Sequence, residues 1–170
     1  MPQTTFSKDN KTMALLDQTD CELLILLQQD STQTIKQLAS TLNLTTTPIQ
    51  QRIKRLEKNN IIEGYRAIVN ASEMGQNLMI FSHVSLKEHA KQFLLDFEKN
   101  IKSLPEVIEC YHVSGEHDYL LKVIVSDMKG YRQFLTEKLA KVKNIGNVHS
   151  SFVVEAIKKE SIIRPSTILK

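Results

Sequence analysis

The chain has 170 residues, of which 41% are hydrophobic and 24% charged, an ordinary composition for a folded protein. Its formal net charge of +3 is too small to identify an anionic partner by itself. Because no apolar stretch is long enough to cross a bilayer and no secretion signal is visible, we expect a cytoplasmic protein with no membrane partner. Two cysteines, Cys21 and Cys110, lie far apart without a CxxC pair, which favours buried thiols.

The first helix is predicted to follow an unpatterned leader. Residues 1–14 show no apolar period and are expected to be flexible. Thr19 and Glu22 have the spacing of a capping box, in which the hydroxyl caps the first turn and the carboxylate reaches back to the backbone. The leucine-rich run at 23–27 then predicts a largely buried helix.

A second and a third short helix are predicted next. Thr34 and Gln37 repeat the capping-box spacing, and a turn near Asn43 separates the two helices. Thr45 is expected to cap the third helix with its hydroxyl, and Pro48 fits within its first turn because its missing N–H is not needed there. The third helix has one narrow apolar stripe, formed by Ile49, Ile53 and Leu56.

The opposite face of the third helix is polar and cationic. Three short helices with a tight turn before the last match a helix-turn-helix unit, whose last helix enters the major groove. Hydroxyl and amide groups at its start suit base edges, and cations along it suit phosphates. A solvated amphipathic helix would show the same pattern. The expected DNA-binding residues are Thr46, Thr47, Gln50, Gln51, Arg52, Lys54, Arg55 and Lys58, with Arg52 the weakest because it borders the apolar stripe.

The β-prone stretch 61–69 predicts a strand that would act as the wing of a winged helix, although Gly64 weakens it. The winged helix-turn-helix domain is therefore assigned to residues 15–69. Residues 70–78, which contain Ser, Gly and Asn without an apolar period, are assigned to a linker.

The second half follows the order β-α-β, turn, β-α-β, which predicts a ferredoxin-like domain at residues 79–157 and makes the chain α+β. Residues 158–170 are assigned to a loose tail. Because both helices lie on one face of such a sheet, a second subunit is expected to cover the other face. That face should carry some of Ile80, Cys110, Val123 and Phe152 or their neighbours. The predicted strands are 79–86, 107–113, 119–125 and 148–157, and the predicted helices are 88–103 and 128–142.

Several local motifs agree with one known family. In the first half they are Leu16-Asp17 with Asp20, Leu38-Ala39, Leu44-Thr45-x-x-Pro48, Arg52-x-x-Arg55-Leu56-Glu57 and Ile61-Ile62-x-Gly64-Tyr65. In the second half they are Pro105-Glu106-Val107, Glu109-Cys110, Ser114-Gly-Glu-His-Asp118-Tyr119-Leu-Leu121, Asp127-Met128 and Phe152-Val153-Val154. Over roughly residues 15–159 the chain resembles the leucine-responsive regulatory protein/asparagine-synthase regulator (Lrp/AsnC) family of prokaryotic transcription factors.

The resemblance implies a regulator that binds double-stranded DNA with its N-terminal half and forms dimers, then rings that are often octamers, with its C-terminal half. It also implies a small effector, usually an amino acid, bound between dimers near the 114–119 loop. Asp118 or Glu116 could hold the ammonium group, and the Ser114-Gly115 turn the carboxylate. Asp118 could instead bond backbone N–H groups of a hairpin turn. The expected effector-binding residues are Ser114, Gly115, Glu116, His117, Asp118 and Tyr119.

Other functions have less support in the sequence. His83, His112, His117 and His149 could gather on the sheet and bind a metal or haem, but no HxH or HExxH spacing is present, so we expect neither a metal site nor a cofactor. No catalytic set is evident. Two alternatives are a tetrapyrrole enzyme, because sirohaem decarboxylases resemble the family, and an effector-binding oligomer without DNA binding, against which the cationic helix argues.

Overall fold

The structure, a computed structural model, describes residues 16–159 and 161–165. It contains two compact units. In the described part of the chain, unit 1 comprises residues 16–67, 159 and 161–165, and unit 2 comprises residues 68–158. The predicted leader lies outside the described residues. Among the helices that are described, none has the length and hydropathy that a membrane crossing requires.

Unit 1 is built on three helices, as predicted: α1 (Gln18–Gln29), α2 (Ile35–Thr41) and α3 (Thr46–Lys58). Leucine and isoleucine side chains from all three helices form its core, and the predicted stripe is buried at both ends, by Ile49 and Leu56. Between α2 and α3, Asn43 takes a left-handed conformation (φ 52°), which asparagine tolerates better than most residues. This tight turn fixes the direction in which α3 leaves α2.

The helix caps correct two local predictions. The capping box of α1 is formed by Asp17 and Asp20 and not by Thr19 and Glu22: Asp17 Oδ1 accepts the Asp20 N–H at 2.8 Å, and Asp20 Oδ2 accepts the Asp17 N–H at 3.2 Å. Asp is a stronger cap than Thr, so the helix begins two residues earlier. The box at Thr34 is confirmed. Thr45 occupies the cap position of α3, but its hydroxyl makes no capping hydrogen bond.

Residues 61–69 form no strand, so the predicted wing strand is wrong for this chain in isolation. A strand requires a hydrogen-bonded neighbour, and no other described segment lines up with this one. The stretch instead packs Ile61 and Ile62 against the unit 1 core, and the Tyr65 hydroxyl donates to Glu57 Oε1 at 3.0 Å. The wing of unit 1 is therefore an irregular segment without a strand.

The C-terminal segment returns to unit 1. The side-chain amide of Gln28 donates to the Ile163 carbonyl at 2.9 Å and accepts the Ile163 N–H at 2.8 Å. These two bonds satisfy both polar backbone groups of Ile163 and hold residues 161–165 against α1. The part of the predicted loose tail that the structure describes is thus attached at this residue.

Unit 2 has the predicted βαββαβ order, with an antiparallel sheet in the strand order β2-β3-β1-β4. Its strands are β1 (Leu78–Leu86), β2 (Val107–His112), β3 (Tyr119–Val125) and β4 (Ile145–Phe152). Helix α4 (Lys91–Lys102) joins the first two strands. Helix α5 (Met128–Gln133) continues through a π-helical turn (Phe134–Lys138) and a 3-10 turn (Leu139–Lys141) before β4. A further 3-10 turn spans Ser72–Met74.

Of the residues expected on the open face of the sheet or beside it, the structure places the neighbours there and not the four named residues. Ile80 and Val123 are fully buried under the helices. Phe152 pairs with Ile80, and Cys110 pairs with the buried Leu121, so both lie on the same face. The open face carries their immediate neighbours, because side chains alternate along a strand and a shift of one residue exchanges the faces. Cys21 is buried as predicted, whereas Cys110 is exposed because β2 is an edge strand.

The last strand also differs from the prediction. It begins at Ile145, three residues earlier than expected, and ends at Phe152 instead of Ile157. Phe152 pairs with Ile80 near the start of β1, and Val153 adds one hydrogen bond from its N–H to the Met79 carbonyl at 3.0 Å. No further pairing with β1 follows in the described residues. The chain therefore leaves the sheet as an arm, residues 153–157, of which 154–157 are exposed.

Candidate nucleic-acid interface and effector loop

The outward side of α3 gathers most of the predicted DNA-binding residues on one exposed surface. Ile49 and Leu56 turn the opposite side into the core, which fixes the rotation of the helix. Lys54 and Lys58 form no ion pair or side-chain hydrogen bond within the residues that are described. Their ammonium groups are therefore available to an outside anion. The exposed residues of this surface are Thr46, Thr47, Gln50, Gln51, Lys54 and Lys58.

Arg52 and Arg55 have a different environment, because both reach back to α1. Arg52 Nη1 lies 2.6 Å from Asp17 Oδ2 and 2.7 Å from Asp20 Oδ1, and Arg55 Nη2 contacts Asp20 Oδ2. The Asp20 side chain is completely buried, so its charge requires these partners. We call these four residues the Asp20 cluster. Its bonds fasten α3 to α1 and set the direction in which the exposed surface faces.

The two arginines differ in exposure and in the number of ion pairs that they make within this cluster. Arg52 is 25% exposed and bonded to two carboxylates, which raise its pKa further. Arg55 is 48% exposed and makes a single ion pair, so part of its guanidinium still faces solvent. Partial burial opposes ionisation of Asp17, but hydrogen bonds from Arg52 and the Asp20 N–H outweigh it and lower the Asp17 pKa. Arg52 is therefore a structural residue here, and Arg55 can still face an outside anion.

The predicted effector loop connects β2 to β3. Ser114, Gly115 and Glu116 are exposed, and the Glu116 carboxylate has no hydrogen bond or ion pair to any described residue. Gly115 has φ +128°, a conformation that side chains other than glycine rarely adopt. His117 Nδ1 lies 3.1 Å from Ser85 Oγ. The loop thus presents one free carboxylate beside a backbone turn.

Asp118 and Tyr119 are already engaged within the fold. Asp118 Oδ2 accepts the Leu86 N–H at 2.7 Å, and Oδ1 lies 2.9 Å from His89 Nε2. The Tyr119 side chain is buried, its hydroxyl donates to Glu98 Oε1 at 3.1 Å, and burial together with that carboxylate raises its pKa. Tyr119 therefore lies in the core and not in the loop. The sequence did not point to His89, whose role depends on a contact with a residue 29 positions away.

The histidines gather only in part. His83 lies with its ring centroid 5.0 Å from that of His117 and 6.4 Å from that of His149, while His112 stacks on Tyr119 at 4.8 Å. His83 and His149 are directly paired across β1 and β4. Within the described residues no group of three or more His, Cys, Asp or Glu side chains is arranged to hold a metal ion.

Comparison with known proteins identifies the family. Residues 16–63 match the model of a winged helix-turn-helix DNA-binding domain, and residues 79–163 match the Lrp/AsnC ligand binding domain. The chain belongs to the Lrp/AsnC family. It is a DNA-binding transcription regulator with a ligand-binding domain, so the predicted family, fold class and function are confirmed.

Relatives support this assignment over nearly the whole chain. The DNA-binding transcriptional activator DecR of Escherichia coli K12 is 38% identical over 85% of this chain and 95% of its own length. The leucine-responsive regulatory protein of the same strain is 33% identical over 86% and 89%. Among solved structures, the Neisseria meningitidis regulator NMB0573 in complex with L-Met has 32% identity and a TM-score of 0.82, covering 86% of this chain and 94% of the other. An AsnC family regulator from Agrobacterium tumefaciens has 32% identity and a TM-score of 0.83, over 87% and 96%.

Proposed function

We propose that the exposed surface of α3 recognises an operator in double-stranded DNA. Its hydroxyl and amide groups would contact base edges, and its cations would contact phosphates. The supporting observation is that Lys54 and Lys58 pair with no described residue while the Asp20 cluster holds the back of the helix in place. Arg55 contributes to phosphate binding with its exposed nitrogens, and Arg52 only orients the helix. The base-contacting residues are Thr46, Thr47, Gln50 and Gln51.

One such surface gives only modest affinity, so the regulator acts as a homodimer that assembles further, up to an octamer. Support comes from the open face of the unit 2 sheet. Phe81 on β1 and Leu120 and Ile124 on β3 point to this face and have no helix over them. A second copy with the same face would cover this apolar surface and bring two α3 helices to one DNA duplex.

The effector is an amino acid, bound at the 114–118 loop between dimers. Glu116, whose carboxylate has no partner among the described residues, receives the ammonium group, and the N–H groups of the Ser114-Gly115 turn receive the carboxylate. Asp118 holds the loop in shape. The relative from Neisseria meningitidis, solved with L-Met, supports an amino acid as ligand. The effector changes DNA occupancy only through a difference in its affinity for two assemblies. Because relatives are DNA-binding regulators of bacteria, we place this regulator in the cytoplasm.

The experiment compares DNA binding by wild-type protein and by the double variant Lys54→Gln, Lys58→Gln. The probe is a duplex that the wild-type protein selects from a random-sequence library, and affinity is measured over a range of salt concentrations. Each lost phosphate contact reduces the slope of log affinity against log salt by about 0.9, so a dimer should lose about 3.6.

The matched control is Lys36→Gln, which removes an exposed lysine from α2 outside the proposed surface. We expect the control to leave the slope unchanged. If the double variant and the control give the same affinity and the same slope as wild type, α3 does not bind DNA through this surface.

A further inference from the structure

A shallow apolar groove lies between α5 and the end of β4 in unit 2. Its volume is about 510 Å³. Met128 is 58% exposed and Phe152 is 42% exposed, so the floor of the groove faces solvent in the single chain. The groove is lined by Met128, Lys129, Tyr131, Arg132, Leu135 and Phe152.

Two cations border this floor. Lys129 and Arg132 are both exposed, and neither side chain forms an ion pair or hydrogen bond within the residues that the structure describes. Long cationic side chains beside an apolar surface favour an occupant that is itself apolar and carries a negative charge. The two cations therefore indicate that the occupant of the groove carries a negative charge, which an apolar patch alone would not indicate.

The arm at residues 153–157 has the complementary chemistry. Val154 is fully exposed and Ile157 is 86% exposed, so neither finds apolar neighbours among the described residues. Glu155 lies between them and is exposed without an ion pair in the same part of the chain. One copy thus displays both an apolar groove with two cations and an apolar arm with one anion.

We propose that the arm of one copy lies in the groove of a second copy, where Val154 packs on the apolar floor and Glu155 pairs with Arg132. The groove and the arm meet at Phe152, which lines the first and immediately precedes the second. Because the root of the arm and the groove are adjacent, one two-fold axis near Phe152 allows both arms to exchange at once. This junction is additional to the open sheet face, which the proposed function assigns to a second copy.

Charge reversal tests the exchange in trans. Full-length Glu155→Arg places like charges at both junctions of its own homodimer, and full-length Arg132→Glu does the same with the opposite sign. When the two proteins are mixed, every junction of the mixed dimer again joins opposite charges. Dimer dissociation constants are measured by sedimentation velocity over a concentration series, for each protein alone and for the mixture. The control, Glu73→Arg, reverses another exposed carboxylate of unit 2 that is remote in sequence from the groove and the arm.

We expect each single variant to raise the dissociation constant on the order of tenfold, because a surface ion pair contributes a factor of up to about five and a dimer contains two. The dissociation constant of the mixture should return to the wild-type value, and that of the control should equal it. Val154→Ser removes the apolar contact without adding a charge, so no charge-reversed partner can restore it and it should weaken the dimer in every mixture.

The proposal is overturned if the single variants dimerise as wild type does, or if the mixture shows no recovery. DNA retardation on the same samples separates the two proposals. An arm variant that loses the exchange but still binds DNA as a dimer leaves the proposed function intact. Unchanged DNA binding by the Lys54→Gln, Lys58→Gln variant, together with recovery in the charge-reversal mixture, overturns only the proposed function.

Discussion

Replacing Asp20 by asparagine tests whether the buried carboxylate fixes α3 to α1. The substitution keeps the shape of the side chain and removes the charge that faces Arg52 and Arg55. Breaking a fully buried ion pair costs about 3–5 kcal/mol, and here the two arginines are partly exposed, so solvent screens part of the loss. We therefore expect unit 1 to lose about 2–3 kcal/mol of its free energy of unfolding.

Because the chain has two units, a single global transition would mix them. Amide hydrogen exchange measured by mass spectrometry on segments of α1 and α3 reports unit 1 alone, and segments of β1 and β3 serve as the internal reference. The control is Asp17→Asn, which removes a half-exposed carboxylate with one ion pair and should cost at most about 1 kcal/mol. Protection of α1 and α3 in Asp20→Asn within about 0.5 kcal/mol of wild type would refute the reasoning.

Three further results are expected. Gln28→Ala removes both bonds to Ile163 and should increase hydrogen exchange at residues 161–165, whereas Gln29→Ala, an exposed neighbour on α1, should not. The pKa of Asp17 is lowered in the folded chain, so its contribution to stability is complete above the unfolded value near 3.8 and is lost as the pH falls through the folded value. Acidification should therefore reduce the hydrogen-exchange protection of α1 and α3 less in Asp17→Asn than in wild type. Glu116→Gln should weaken amino-acid binding measured by calorimetry at least tenfold without lowering the thermal transition temperature.

The sequence was sufficient to predict the structure where a short-range pattern determines it. The stripe on α3 and the order βαββαβ were both predicted, because each depends on periodicity within one element and on the lengths of connections. The predictions failed where two local signals compete or where a distant partner decides. Asp17 and Thr19 are both possible caps two residues apart, and the stronger acceptor starts the helix.

The ion pairs of Arg52 could not be predicted for a different reason. Its partner Asp20 lies 32 positions earlier, and no pattern within α3 indicates that the arginine points across to α1. The open face of the sheet could be predicted only as four residues or their neighbours, because β1 is apolar at the consecutive positions Met79, Ile80 and Phe81 and alternation gives no phase there. The wing strand shows the same limit, since β propensity at residues 61–69 does not supply a neighbouring strand.

Asp118 shows why a residue marked by the family motif need not be the residue that holds the ligand charge. Its two oxygens are taken by the Leu86 N–H at the end of β1 and by His89 just before α4, so an ammonium group arriving there must share or break a bond that the fold already uses. Any affinity gained at Asp118 is reduced by that loss, whereas the carboxylate of Glu116 has no bond to a described residue that a ligand would have to break. Asp118→Asn should therefore loosen the loop, which would be seen as faster hydrogen exchange at residues 114–117. Any weakening of ligand binding in this variant should accompany that faster exchange. Glu116→Gln should weaken ligand binding while the hydrogen exchange of the loop stays at the wild-type rate. If Asp118→Asn abolishes amino-acid binding while the exchange of the loop stays at the wild-type rate, the division of roles is wrong and Asp118 contacts the ligand directly.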